Sequence, residues 1–221
     1  MLNSPFLKTC LVATLLIGVH LGTAPHENPP SLPAQSEGAT CGPHCGTERW
    51  SVKTLSDSDA EKVNVNNRIV GTVHDLVSLP PPSQLPNDNR IAPVETTTYG
   101  VQARLVGFKK ETDRDFHIVI ADVQTNETMI VEIPDPQCAG VCASQAKGLI
   151  LQARNTFMKQ CGVPTSQFKR LTSPLLIRVT GVGFFDFKHG QTGVAKNAIE
   201  LHPVFRVELP DDTDFCARHL K

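Results

Sequence analysis

Aromatic side chains are scarce in this 221-residue chain, which has one tryptophan and one tyrosine. Single-stranded nucleic acid is usually gripped by rings on which bases stack, so the scarcity counts against that class of partner. An excess of charge is also missing: 21 lysines and arginines face 22 aspartates and glutamates. Attraction for a polyanion would therefore have to come from a local patch. Beyond residue 24 no apolar run approaches the roughly 20 residues that cross a bilayer. There is no Gly-x-Ser-x-Gly, no glycine-rich phosphate loop ahead of a helix and no His-Glu-x-x-His. These absences remove the nucleophile-elbow hydrolases, the P-loop enzymes and the zincins.

What is present begins with an export pattern. Lys8 precedes an apolar stretch from Cys10 to Leu21 that His20 interrupts, and Gly22-Thr23-Ala24 supplies small residues for cleavage. This predicts a signal peptide over residues 1–24, a secreted or periplasmic protein, and no membrane attachment after cleavage. Cys41, Cys45, Cys138, Cys142, Cys161 and Cys216 follow that segment. An even count in an exported chain favours disulfides, with the connectivity open. The pairs CGPHC and CAGVC share a three-residue gap, so zinc held by both pairs is the alternative.

Residues 25–46, rich in Pro, Ser and Gly, are expected to be a disordered leader. Residues 47–97 form an arm. In it, Ser58 and Glu61 have capping-box spacing for a short helix, VGTVHDLVSL suits a second helix or a strand, and the Pro-rich PPPSQLPNDN marks a boundary. From Thr98 the pattern becomes regular. TYGVQARLVGF alternates as a half-buried strand, FHIVIADV and MIVEIP follow as two more, and residues 143–160 have helical spacing up to Gly162. LLIRVTGVGFFDF and AIELHPVFRVEL complete the set, with Gly181 and Gly183 suited to a bend. Three strands, a helix and two strands predict a mainly β (α+β) fold. Its expected form is a five-stranded OB-like Greek-key barrel over residues 98–210, with a tail at 211–221.

The strings DFHIVIAD, TMIVEIP, VTGVGFFDFKHGQTGVA and IELHPV resemble a group of exported bacterial proteins without an assigned activity. The resemblance spans about residues 48–208. It implies one coherent domain that includes the arm, and it supplies no catalytic residues.

Strand alternation puts Arg104, His117, Glu132, Arg178, Glu200 and His202 on a common polar side, opposite an apolar core side. Three readings follow. The side can be an outer, partly solvated face with cross-strand ion pairs. It can be a polar network covered by the arm. It can also hold a divalent metal, drawing on His117, Asp186, His189, Glu200 and His202. In OB barrels the loops after strands one and four flank the binding surface. Here those loops carry Lys109, Lys110, Arg114, Lys188, His189 and Lys196, a basic patch suited to an anionic polymer or another secreted protein. Phe108 and Phe184 are the only rings in phase with the outer face, too few to favour nucleic acid. The expected role is non-enzymatic binding with no required cofactor. The alternative is a metal-dependent, nuclease-like hydrolase using Glu132, Asp186, His189 and His202, with Asp115, Arg104 and Arg178 as further residues of the right type.

Overall fold

The computed structural model describes residues 41–210 and 215–221, so the expected signal peptide and the leader up to residue 40 lie outside the described residues. The arm comprises helix α1 (Trp50–Lys53), a 3-10 turn at Ala60–Lys62, strand β1 (Arg68–Gly71), helix α2 (Val73–Val77) and a second 3-10 turn at Val94–Thr96. VGTVHDLVSL thus divides into the end of a strand and a helix. The capping box lies there and not at Ser58: the Thr72 hydroxyl accepts from the Asp75 amide while the Asp75 carboxylate accepts from the Thr72 amide. At the 3-10 turn Asp59 occupies the N-cap without a side-chain bond. A three-residue turn has little helix to cap.

The barrel strands are β2 (Thr98–Lys110), β3 (Phe116–Ala121), β4 (Thr128–Ile133), β5 (Lys169–Phe185) and β6 (Ile199–Glu208), with helices α3 (Ala139–Ala143) and α4 (Lys147–Cys161) between β4 and β5. Helix α5 (Phe215–Arg218) follows β6. The strand order β2–β3–β4–β6–β5 closes when β5 pairs back onto β2. The β4–β6 pairing is parallel and the other barrel pairings are antiparallel. This is the expected mainly β, OB-like barrel with a helix between its third and fourth strands. Strand β1 adds a parallel edge to β2.

Two irregularities shape the barrel. In β2 the register shifts between Leu105 and Gly107, so Val106 is an extra residue. A bulge of this kind reverses the facing of everything after it. Phe108, expected on the outer face, is therefore buried in the core against Phe157, ring centroids 5.0 Å apart. The second irregularity lies where β5 meets β6, around Gly181 and Gly183. A Cβ at Gly181 would come within 2.8 Å of the Pro203 carbonyl, so only glycine admits this approach.

Helix α4 packs Ile150, Ala153, Phe157 and Cys161 into the core and stops at Gly162, whose φ of 73° suits glycine. Arg154 on the same helix lies 3.6 Å from the centroid of Phe116 and donates to the carbonyls of Ile133 and Arg114. It closes the end of β4 where Pro134 stops the ladder.

Three disulfides join Cys41 to Cys142, Cys45 to Cys138 and Cys161 to Cys216. The two C-x3-C motifs are thus bridged to each other, first cysteine to last, and their sulfurs are not available as zinc ligands. Residues 41–46, expected to belong to the leader, are held to α3 by this double bridge. Such bonds persist in oxidising compartments. No helix among the described residues is long and apolar enough to cross a membrane. Replacing Cys45 and Cys138 together by serine is expected to lower stability by about 2–4 kcal/mol. Urea unfolding under oxidising conditions measures the loss.

Candidate functional site

The strands β3, β4, β6 and β5 lie side by side, so their outward residues form rows. His117 stands opposite Glu132 in the β3–β4 register, and Ile130 and Val131 pair with Glu200 and Leu201 across β4 and β6. Extending that parallel register by one outward position brings Glu132 beside His202. A neighbouring row runs Val119, Ile130, Glu200 and Phe184. Asp115, just before β3, reaches the far side of His202.

This face is covered, not solvated. Side-chain exposure is 0% for Asp115 and His202, 1% for His117 and 9% for Glu132. The second reading of the polar side, a network under the arm, is the one the geometry fits. Part of the cover comes from the arm, where Lys53 on α1 reaches Asp186 at 3.0 Å. Arg49 stacks over Phe184 at 4.7 Å and forms a two-point ion pair with Glu95, both contacts 2.7 Å. Glu95 also accepts the amides of Ile91 and Phe185, and Arg49 donates to the Phe185 carbonyl. The arm is thereby bonded to the end of β5.

The rest of the cover is the β5–β6 loop. The Thr192 carbonyl accepts from His117 Nε2 at 3.0 Å. A Cβ on Gly193, whose φ is 86°, would lie 2.4 Å from Val119. Position 193 therefore needs glycine both for its backbone angle and for close approach to the sheet. Asn197 anchors the far end of the loop by donating to the carbonyls of Leu76 and Leu79.

The protonation of the network follows from its partners. Both nitrogens of His117 face acceptors, Glu132 Oε1 at 2.9 Å and the Thr192 carbonyl, so both carry hydrogen and the ring is a cation. Burial works against that charge, but the bond to Glu132 and its negative charge outweigh it and raise the pKa. Burial would likewise raise the Glu132 pKa, yet the His117 bond and the charges of His202, His117 and Lys53 hold it below the usual carboxylate range. Burial pushes Asp115 up, with His202 opposing. Glu200 is raised well above its ordinary value by burial and by the charges of Glu132 and Asp186. Lys53 is raised because Asp186, Glu132 and Glu200 outweigh its own burial.

Several atoms in this network lack a hydrogen-bond partner: Asp115 Oδ2, Asp186 Oδ1, Glu200 Oε2 and both ring nitrogens of His202. His202 Nε2 is 3.2 Å from Asp115 Oδ2, and Nδ1 is 3.4 Å from Glu132 Oε2. These oxygens are close but off the line on which an N–H would donate. Buried polar groups in native interiors are nearly always satisfied.

No family model and no curated protein matches the chain. The residues singled out from the sequence divide into three groups. His117, Glu132, Glu200 and His202 come together, joined by Asp115 and Asp186. Arg104 and Arg178 do not join them: Arg104 donates to the Asp122 carbonyl, and Arg178 donates to Gln102 on an exposed face. His189 also stands apart, 53% exposed and 3.0 Å from Glu48.

The basic patch expected from the loops does not assemble. Lys109 pairs with Glu111 near the start of β3, and Lys196 pairs with Glu127 beyond its end. Six residues of strand, about 20 Å, separate those ends. Lys188 donates to the Lys196 carbonyl, while Lys110 and Arg114 are exposed. Phe184 does face outward, but it is buried between Arg49 and His202.

Arg49, Lys53 and Glu95 escape a reading from sequence. The four-residue spacing of Arg49 and Lys53 puts both cations on one side of a helical turn, and that is the one local signal they give. Glu95→Ala leaves the Arg49 guanidinium buried without its carboxylate and is expected to cost about 3–5 kcal/mol. Gly193→Ala is expected to cost about 1–3 kcal/mol through backbone strain alone. Urea unfolding of both variants, with near-ultraviolet circular dichroism reporting on Trp50 in the arm, checks these values.

Proposed function

We propose that the protein is an exported binding protein for an anionic polymer, such as a carboxylated or sulfated glycan, and that it takes this ligand on the outer face of β1, β2, β5 and β6. The observation that carries this reading is a reversal of surfaces. OB barrels commonly bind ligands on the face of their second and third strands, between the flanking loops. In this chain that face is occupied by its own arm and by the β5–β6 loop, whereas the opposite side is open.

The open side holds a hollow of about 280 Å³ lined by Arg68, Val70, Gly100, Gln102, Arg178, Thr180 and Glu208. A second hollow, also about 280 Å³, shares Arg68 and Thr180 and extends to Arg206. Arg68 and Arg206 make no ion pair among the described residues, and Glu208 is the one carboxylate in these linings. Three guanidinium groups against one carboxylate give a local positive field on a chain that is otherwise balanced. Ile69, Val70 and Leu176 are exposed at 59%, 78% and 51% beside it. Arginine forks suit carboxylate and sulfate oxygens. The first hollow has no aromatic lining, which disfavours stacked bases. The resemblance to exported bacterial proteins and the three disulfides fit a secreted or periplasmic setting.

Hydrolysis through Glu132, Asp186, His189 and His202 is less well supported. His202 is out of reach of a substrate, and His189 lies on a different part of the surface. Replacing Arg68, Arg178 and Arg206 by glutamate is expected to move elution from heparin resin to lower salt, with the log–log salt slope falling by about one for each arginine. Glutamate at Lys188 and Lys196 is expected to change retention little, because both lysines already have partners. Retention that ignores the arginines, or that is lost equally in the lysine variant, rules the reading out.

A further inference from the structure

We propose that Asp115, Glu132 and His202 form a binding site for one divalent transition-metal ion, zinc by ligand type, closed beneath the arm. The site is independent of the arginine face. Its first support is geometry: one ligand atom from each of the three residues lies within 4.8 Å of the other two. Ligands at zinc bond lengths and tetrahedral angles stand about 3.4 Å apart. The contact of His202 Nε2 with Asp115 Oδ2, 3.2 Å, matches that spacing, and Glu132 Oε2 approaches the other ring nitrogen, 3.4 Å from Nδ1.

The second support is the unmet bonding of His202. Its side chain is fully buried, and neither nitrogen has a hydrogen-bond partner. A charged imidazole held only by ion pairs would point its N–H groups at the neighbouring oxygens. Instead the oxygens lie to the side of each N–H line. An ion on the lone-pair axis of Nε2 sets a second ligand such as Asp115 Oδ2 off that axis, which is the arrangement on that side of the ring.

The third support is the surrounding shell. His117 donates to Glu132 Oε1, leaving Oε2 on the His202 side. Metal-bound carboxylates are commonly oriented by such an outer hydrogen bond. A competing trio, Glu111, His117 and Glu132, has its ligand atoms equally close. There, however, both His117 nitrogens are spent on hydrogen bonds, and none is left for a metal. Nitrogen with two carboxylate oxygens suits zinc, and manganese less well, and does not suit the softer thiolate-seeking ions. All six described cysteines are in disulfides, so they supply no rival thiolate site. Joining the entry of β3 to β4 and β6 without an open path gives the ion a structural role.

The test uses untagged, oxidised full chain. Elemental analysis is expected to find one equivalent of zinc per chain. Chelator under mild denaturant, followed by refolding without metal, is expected to lower the thermal midpoint, and zinc chloride to restore it more effectively than manganese or magnesium. His117→Gln is expected to weaken zinc affinity about 10–100-fold. His202→Gln should abolish stoichiometric binding, and His74→Ala, on the surface, should leave it unchanged. Because wild-type metal content and the wild-type midpoint are read directly, a variant that fails to fold does not block the test. Zinc below a tenth of an equivalent with a midpoint indifferent to added metal overturns the proposal. So does a full equivalent in folded His202→Gln.

Discussion

Glu95 accepts four hydrogen bonds, two from Arg49 and one each from the amides of Ile91 and Phe185. Both members of the pair are buried, so neither charge has water as an alternative partner. A buried pair is weak as a source of net stability but costly to break. It acts as a latch: Arg49 and Glu95, both in the arm, hold each other and bond the Phe185 backbone at the end of β5, so losing either one leaves the other charge buried without its partner. Arg90 works in parallel, bonding Asp57 through two nitrogens and also donating to the Val52 and Glu95 carbonyls. The two bridges through Cys41 and Cys45 hold the start of the arm from the other side.

Once the arm is latched, the outer face of β3, β4, β6 and β5 belongs to the interior. Polar side chains that would be ordinary in solvent become a dense set of carboxylates and histidines in a low-dielectric layer. Their pKa directions diverge as a result: Glu132 is lowered, while Glu200 and His117 are raised. Desolvation and mutual charge push neighbouring groups apart in this way. The same covering leaves the β1–β2–β5–β6 side as the open concave surface. The proposed binding face and the buried network therefore lie on opposite sides of one barrel.

Much of the barrel was legible in the sequence because strand alternation and helical spacing are local. Ile199, Leu201, Phe205 and Val207 do face the core, and Glu200 and His202 do face away from it. Gly181 and Gly183 do sit at register shifts. Phe108 was misread because one extra residue, Val106, reverses the phase, and a bulge leaves little trace in an alternating pattern. The start of β5 at Lys169 was also missed, since the proline at position 174 reads as a break. Of the polar side, His117, Glu132, Glu200 and His202 do lie together on one side of the sheet. Their burial was not legible, because it depends on an arm about 70 residues earlier in the chain than Glu132 and Asp115.

By itself the sequence determined the element order, the mainly β class and the inward side of each regular strand. Those properties follow from residue type and nearest neighbours along the chain. Tertiary structure alone decided which cysteines pair, which loop lysines are neutralised by Glu111 and Glu127, and which polar residues lose water. Each of these depends on what a distant segment covers. A carboxylate or an imidazole has the same local signature whether it meets solvent or Lys53 and Thr192.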